Sequence, residues 1–238
     1  MKNQNHSSFG ARLRGGQDIL VNISSFENYK PPREEETPDS YGSVVNDTIS
    51  TTGEEAALQE NYSMAVSIRQ KSFKGDANSI EKILAPIRGA IVAQFGKDSK
   101  EVQMVKAIIK TMRSTKLVKP PAATEITTEA KQTANHSAHT YAAMTMHFND
   151  LTSTITQFNG YTSSNASITN EGLKQLCISL NDLNNNVMQA YNLLVVSRSK
   201  RDKLFAELSD RTSRIKAYVK SQYGLSSNEY KLIKGAKV

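Results

Sequence analysis

The sequence predicts an all-α fold: an antiparallel bundle of long helices with an internal duplication and an extended amino-terminal arm. Three observations predict it. From residue 54 onward apolar residues recur at spacings of three and four, the period of one helix face. Between Gly172 and Gly224 no glycine or proline interrupts that pattern. Before residue 53 the pattern is missing, and three of the six prolines and four of the twelve glycines fall there. The divisions that follow are an arm over residues 1–52, a first helical half over 53–121 and a second over 122–238.

Within the arm, Pro31-Pro32 and Thr37-Pro38 bias the backbone toward extended conformations. Its apolar cluster, Ile19, Leu20, Val21 and Ile23 with Phe26 and Tyr29, reads as a short strand or an anchoring stretch. A first helix is expected from Glu54 to Phe73, ended by Gly75, and a second from Ala77 to Phe95 with Asp76 as its cap. Pro86 inside the second predicts a kink or break. Gly96 stops that helix, and Asp98 with Glu101 resembles a capping box for a third, Ser99 to Thr115. Lys119-Pro120-Pro121 closes the first half. In the second half a helix is expected from Thr124 to Phe158, then a loop through Gly160 and Asn165. The last helix starts after Gly172 and spans roughly 75–80 Å if unbroken. Polar residues from Ser197 to Asp202 occupy its apolar seam, which reads as a wet patch or bend in one helix and not as a hairpin.

Residues Ile87–Lys106 and Ile215–Lys234 align without gaps at a shift of 128, with six of the twenty positions identical. Both encode an amphipathic helix, a glycine stop and a capped second helix. Capping alone does not require the shared Gln94/Gln222, the aromatic before each glycine or the shared Lys106/Lys234, and these favour duplication. The run Gln222-Tyr223-Gly224-Leu225-Ser226-Ser227-Asn228-Glu229-Tyr230, followed by Lys234-Gly235, resembles the carboxyl-terminal signature of a group of uncharacterised bacterial helical proteins. With Gln94–Lys106, where Val102 replaces the tyrosine, the resemblance covers about a fifth of the chain. It implies a bacterial helical bundle and no particular reaction.

Composition narrows the chemistry. The 238 residues are 38% apolar and 22% charged, with 7% aromatics and no tryptophan, ample for a core but lean for a compact enzyme. The single cysteine, Cys177, excludes an internal disulfide framework and a cysteine-built zinc site, and reads as a small buried hydrophobe. No apolar run reaches the ~18 residues of a membrane span, and no apolar stretch follows Met1 to His6, so a soluble cytoplasmic protein is expected. His136, His139, His147 and Asp150 gather on one side of their helix, away from its apolar stripe, and read as surface groups. Glu-x-x-His, P-loop, dinucleotide-binding and nucleophile-elbow patterns are absent from the sequence. No enzyme activity and no cofactor or metal are therefore expected. The Asn-x-Ser/Thr sequences at Asn22, Asn46, Asn61, Asn135 and Asn165 reflect composition.

Charge is the most informative feature. Residues 198–238 hold eleven basic and four acidic groups, which accounts for the whole net charge of +7. The arm carries five basic and seven acidic groups, including Glu34-Glu35-Glu36. The arm's apolar cluster and these glutamates are expected to dock on neighbouring bundles near Lys200, Arg201 or Arg211, with Gly96 and Gly224 as structural turns. The function this predicts is a structural subunit assembling with itself as a filament, layer or other homo-oligomer. The alternative is a nucleic-acid-associated bundle using the basic carboxyl-terminal region.

Overall fold

The computed structural model describes residues 8–114 and 141–238. Among them every regular element is helical: α1 (Phe9–Ser25), α2 (Pro38–Gln70), α3 (Ile80–Phe95), α4 (Lys100–Ser114), α5 (Tyr141–Thr156), α6 (Asn170–Tyr223) and α7 (Asn228–Ile233). Short 3-10 turns at Glu34–Glu36 and Ala166–Ile168 and a π turn at Lys71–Gly75 complete the set. The fold is all-α.

The chain forms two compact units. Unit 1 joins Met1–Leu58 to Leu193–Val238, and unit 2 is Gln59–Asn192. Neither boundary coincides with the expected divisions at 52/53 and 121/122, the second of which lies outside the described residues. The reason is physical. Helices α2 and α6 each contribute residues to both units, so no linker composition marks the change.

The amino-terminal segment corrects the sequence reading most. In place of an extended arm, residues 9–25 form α1 and α2 begins at Pro38, well before the expected Glu54. Ser8 caps α1, its Oγ accepting from the Ala11 N–H at 3.3 Å. Ile19 and Ile23, one turn apart, are fully buried. Gly15 and Gly16 sit inside this helix because other chain passes close by. A Cβ at Gly15 would stand 2.2 Å from the Lys237 carbonyl oxygen, and one at Gly16 3.2 Å from Leu208 Cδ2. Pro38 opens α2, where a missing N–H costs nothing because the first turn has no partner for it.

Later elements follow the sequence more closely. The helix that α2 represents ends in the π turn, where Phe73 is buried, and α3 follows Ser79, not Asp76. Pro86 does not break α3. Ser99, not Asp98, caps α4, its Oγ accepting from the Val102 N–H at 3.2 Å. The Lys119-Pro120-Pro121 stop and the start expected at Thr124 lie outside the described residues. α6 is a single helix of 54 residues running through Ser197–Asp202.

Each unit has its own core. In unit 1, Ile19 and Ile23 of α1 pack with Tyr41 and Val45 of α2, Leu208 and Ile215 of α6 and Ile233 of α7. In unit 2, Ile87 and Ile91 of α3, Val105 of α4, Phe148 and Leu151 of α5 and Leu173 of α6 form the equivalent cluster.

Candidate functional site

Unit 1 brings together most of the residues singled out from the sequence. The chain leaves α1 at Phe26, turns through Asn28 (φ 60°) and meets the carboxyl-terminal part of α6. Phe26 meets Tyr223 edge to face with ring centroids 5.8 Å apart, and Tyr29 meets Tyr218 in the same way at 5.6 Å. Gln222 Nε2 donates to the Asn28 carbonyl at 2.7 Å, and the Tyr29 hydroxyl donates to the Glu36 carbonyl at 2.9 Å. Ile19, Ile23, Leu20, Phe26 and Tyr29 thus cover helices of their own chain, whereas Val21 is exposed.

Charges follow the apolar contacts. Glu36 is only 2% exposed, and its Oε1 accepts from Arg214 Nε at 2.5 Å. Arg214 also reaches Glu35 at 3.2 Å and Asp210 one turn away. The hydrogen bond to Glu36 holds the Arg214 guanidinium above its usual pKa. Arg211 donates to the Glu35 carbonyl at 2.8 Å and to Ser40 Oγ at 3.0 Å. Glu34 stays exposed. Lys200 and Arg201 meet other carboxylates. Lys200 lies 4.0 Å from Glu54, while Arg201 and Arg198 (3.1 Å) both hold Glu55. Arg201 also stacks over the Phe9 ring, 4.1 Å from its centroid. So Arg198 and Arg201 of the wet patch form a largely buried ion-pair cluster with Glu55, while Ser199, Lys200 and Asp202 stay exposed. Sequence reading missed Arg198, Arg214 and Glu55, because helical periodicity marks a buried face without naming the partner across it.

The two glycine corners have matching geometry. Gly96 and Gly224 have φ of 88° and 95°, and each N–H donates to the carbonyl four residues back. Ser99 caps the next helix through the Val102 N–H, and Ser227 does so through the Tyr230 N–H at 3.1 Å. In unit 2, Gln94 Nε2 donates to the Gly160 carbonyl at 2.5 Å, and Phe95 meets Phe158 edge to face at 5.7 Å.

Other candidates carry less chemistry. His136 and His139 lie outside the described residues. His147 stands 3.9 Å from Asp150 and is half-buried, not a surface group, because α5 packs against α4. Among the described residues no group of three or more His, Cys, Asp or Glu is placed to hold a metal ion, and no helix is long and apolar enough to cross a membrane. Cys177 is buried as expected, 3.3 Å from Thr152 Oγ1, and burial pushes its thiol pKa up. Such a thiol is a poor nucleophile.

The geometry thus defines an all-α protein of two helical units, each closed by a positive-φ glycine corner. No family model matches the chain, and neither a curated protein nor a solved structure matches it.

Proposed function

We propose that this chain is a structural, non-enzymatic subunit that assembles with further copies of itself, its amino-terminal segment being the docking element. One observation carries the reading. The segment meets a surface far away in sequence: Glu36 and Arg214, joined by their ion pair, are 178 residues apart. A second copy offers the same surface, and exchange between copies would reproduce the same contacts, a low-cost route to oligomers. Depending on whether the rotation closes, the product is a ring or an open filament.

Within one chain the tether favours the internal pairing by an effective concentration on the order of millimolar. Exchange is therefore expected as protein concentration approaches that range. Light scattering over a concentration series tests this, combined with a cysteine pair replacing Phe26 and Tyr223. The reading expects oligomers at high concentration, with disulfide links between chains. A chain that stays monomeric and links only internally would overturn it. The nucleic-acid alternative has less support, because Arg198, Arg201, Arg211 and Arg214 are already held by carboxylates or carbonyls of unit 1. Retention on DNA or RNA with steep salt dependence would revive it.

A further inference from the structure

The geometric match extends well beyond the glycine corners. The 3-10 turns start at Glu34 and Ala166, and α2 and α6 start at Pro38 and Asn170. Both pairs are 132 residues apart. Details follow the same spacing. Arg201 stacks over Phe9 and Arg69 over Tyr141, both at 4.1 Å. Phe9 meets Phe205 at 5.0 Å and Tyr141 meets Phe73 at 4.8 Å. The Tyr29 hydroxyl donates to a carbonyl seven residues on, and so does that of Tyr161. Asn28 and Gly160 share positive φ, and each offers its carbonyl to a corner glutamine. The spacing is still 132 between Phe73 and Phe205 and has become 128 by Ile80 and Leu208. The first copy therefore holds four extra residues in that interval, which is where the π turn interrupts it while α6 runs on. Unit 1 takes its amino-terminal part from the first copy and its carboxyl-terminal part from the second, and unit 2 does the reverse.

We infer that residues 9–105 and 141–233 are two copies of one helical module with exchanged parts, and that Glu35, Glu36 and Glu55 are the specificity residues by which the first amino-terminal part selects residues 193–238 over the equivalent acceptor at 61–110. The two acceptors are alike in shape and opposite in chemistry. Arg211, Thr212 and Arg214 correspond to Ile83, Leu84 and Pro86, and Glu36 and Glu55 correspond to Ile168 and Val187. Pairing the first amino-terminal part with residues 61–110 would bury the Glu36 carboxylate against apolar side chains with no cation. A buried charge without its partner is strongly disfavoured. Such a mismatch discriminates between otherwise similar surfaces. Arg69 is a trace of the same divergence. It matches Arg201, but Val187 stands where Glu55 would be, and its Nε is buried without a hydrogen bond.

The test uses the full chain with Cys177→Ala and one of two reporter pairs. Phe26→Cys with Tyr223→Cys reads the observed pairing, and Phe26→Cys with Phe95→Cys reads the alternative. Each is unfolded, refolded, oxidised and mapped by mass spectrometry, with helicity followed by circular dichroism. With the native charges, the 26–223 link forms and the 26–95 link stays at background. In a chain carrying Glu35→Ser, Glu36→Ile, Arg211→Ile and Arg214→Leu, the 26–95 link rises about tenfold or more, the scale set by one unpaired buried charge. A neutralised chain that refolds with only the 26–223 link overturns the inference, as does a native chain forming both links equally. If the neutralised chain loses helicity, charge exchange decides. Glu36→Arg alone suppresses the 26–223 link, and adding Arg214→Glu restores it; a double variant that does not restore it counts against the inference. Acceptor choice is read whether a link falls within one chain or between two. Failure of the assembly reading would therefore leave this result standing, and the reverse also holds.

Discussion

Where unit 2 buries Ile168, Leu173, Leu180 and Val187, unit 1 buries Glu36, Tyr41, Thr48 and Glu55 at the corresponding positions. The same four places in similar helices are apolar in one unit and polar in the other. The polar set is not free to vary one residue at a time. Glu36 needs Arg214, the Tyr41 hydroxyl lies 2.7 Å from Thr212 Oγ1, and Glu55 needs Arg198 and Arg201. Thr48 alone is satisfied locally, by the Val44 carbonyl. Unsatisfied polar groups are costly in a core, so a polar residue on one segment needs a matching partner on another. Apolar packing is tolerant of many partners and charge pairing is not. Unit 1 therefore carries specificity where unit 2 carries plain hydrophobic stabilisation.

The largest effect should come from breaking the Glu55 cluster. Glu55→Val removes the carboxylate that Arg198 and Arg201 share, leaving Arg201 with Asp202 at 2.8 Å, and costs about 3 kcal/mol. Adding Arg198→Val, to copy Val66 and Val187 of unit 2, should recover much of that loss, because an apolar replacement of a buried ion pair is often neutral or better. Segment-resolved hydrogen exchange checks this. Protection should fall in residues 9–58 and 193–238 and stay unchanged in α3 and α4. A loss spread evenly over both units would break the comparison.

Alkaline pH should separate the units next. Burial pushes the Tyr41 pKa up to about 12, and it pushes Tyr29 higher still with help from the Glu36 charge. A tyrosine whose folded pKa exceeds its unfolded value holds its proton more tightly in the folded chain. Its contribution is complete below the unfolded pKa near 10 and is lost as pH rises through 12. For Tyr41 alone that is on the order of 2 kcal/mol. Leu173, at the place in unit 2 that matches Tyr41, cannot titrate, although burial also raises the pKa of Tyr161 there, the counterpart of Tyr29. Tyrosinate absorbance and loss of helicity from unit 1 should therefore begin above pH 10 while Cys177, buried in unit 2, is still protected from thiol reagents. Cys177 becoming reactive at the same pH as the first loss of helicity would mean the units open together.

The corner glycines test similarity in place of difference. At φ 88° and ψ 152°, Gly96 occupies backbone space open to glycine almost alone, and Gly224 has φ 95°. Gly96→Val and Gly224→Val should each cost about 2 kcal/mol, since no side chain relieves such strain. Neither site crowds a Cβ, so the strain alone is measured. Chemical denaturation of the two variants should give equal losses, the first read in unit 2 and the second in unit 1.

How much of this was legible depended on whether a residue's meaning was local. α6 and both corners could be read because unbroken periodicity, a glycine stop and a serine cap are local signals. α1 could not, because Gly15 and Gly16 resemble flexible tail until Lys237 and Leu208 are known to pass beside them. Pro38 resembled an extended stretch because a helix-opening proline and a loop proline look alike without the cap beside them. The wider correspondence was hidden by the change of spacing from 132 to 128, and by how few identities, such as Phe26/Phe158, Tyr29/Tyr161 and Thr37/Thr169, mark it. Glu55, Arg198 and Arg214 lay beyond reach because an ion pair between distant segments leaves no periodic trace.

Gln94 and Gln222 give the smallest effect and the finest test of correspondence. Helix capping does not need either glutamine, yet each amide spans to the carbonyl of a positive-φ residue in the loop opposite its corner. A β-branched or extended residue at those loop positions would aim the carbonyl elsewhere, so the glutamine and the loop conformation depend on one another. The sites are exposed, and water replaces much of what is lost, so Gln94→Ala and Gln222→Ala should cost about 0.5 kcal/mol each. Gln94 also accepts from the Thr162 N–H at 3.2 Å, a second bond that Gln222 does not make with its own loop among the described residues. Gln94→Ala should accordingly be the more damaging of the two by a few tenths of a kcal/mol. Denaturation midpoints under identical conditions give the order. Equal losses would reduce the Thr162 contact to a bystander, and a larger loss for Gln222→Ala would mean that the glutamine holds the aromatic loop of unit 1 more tightly than its single hydrogen bond implies.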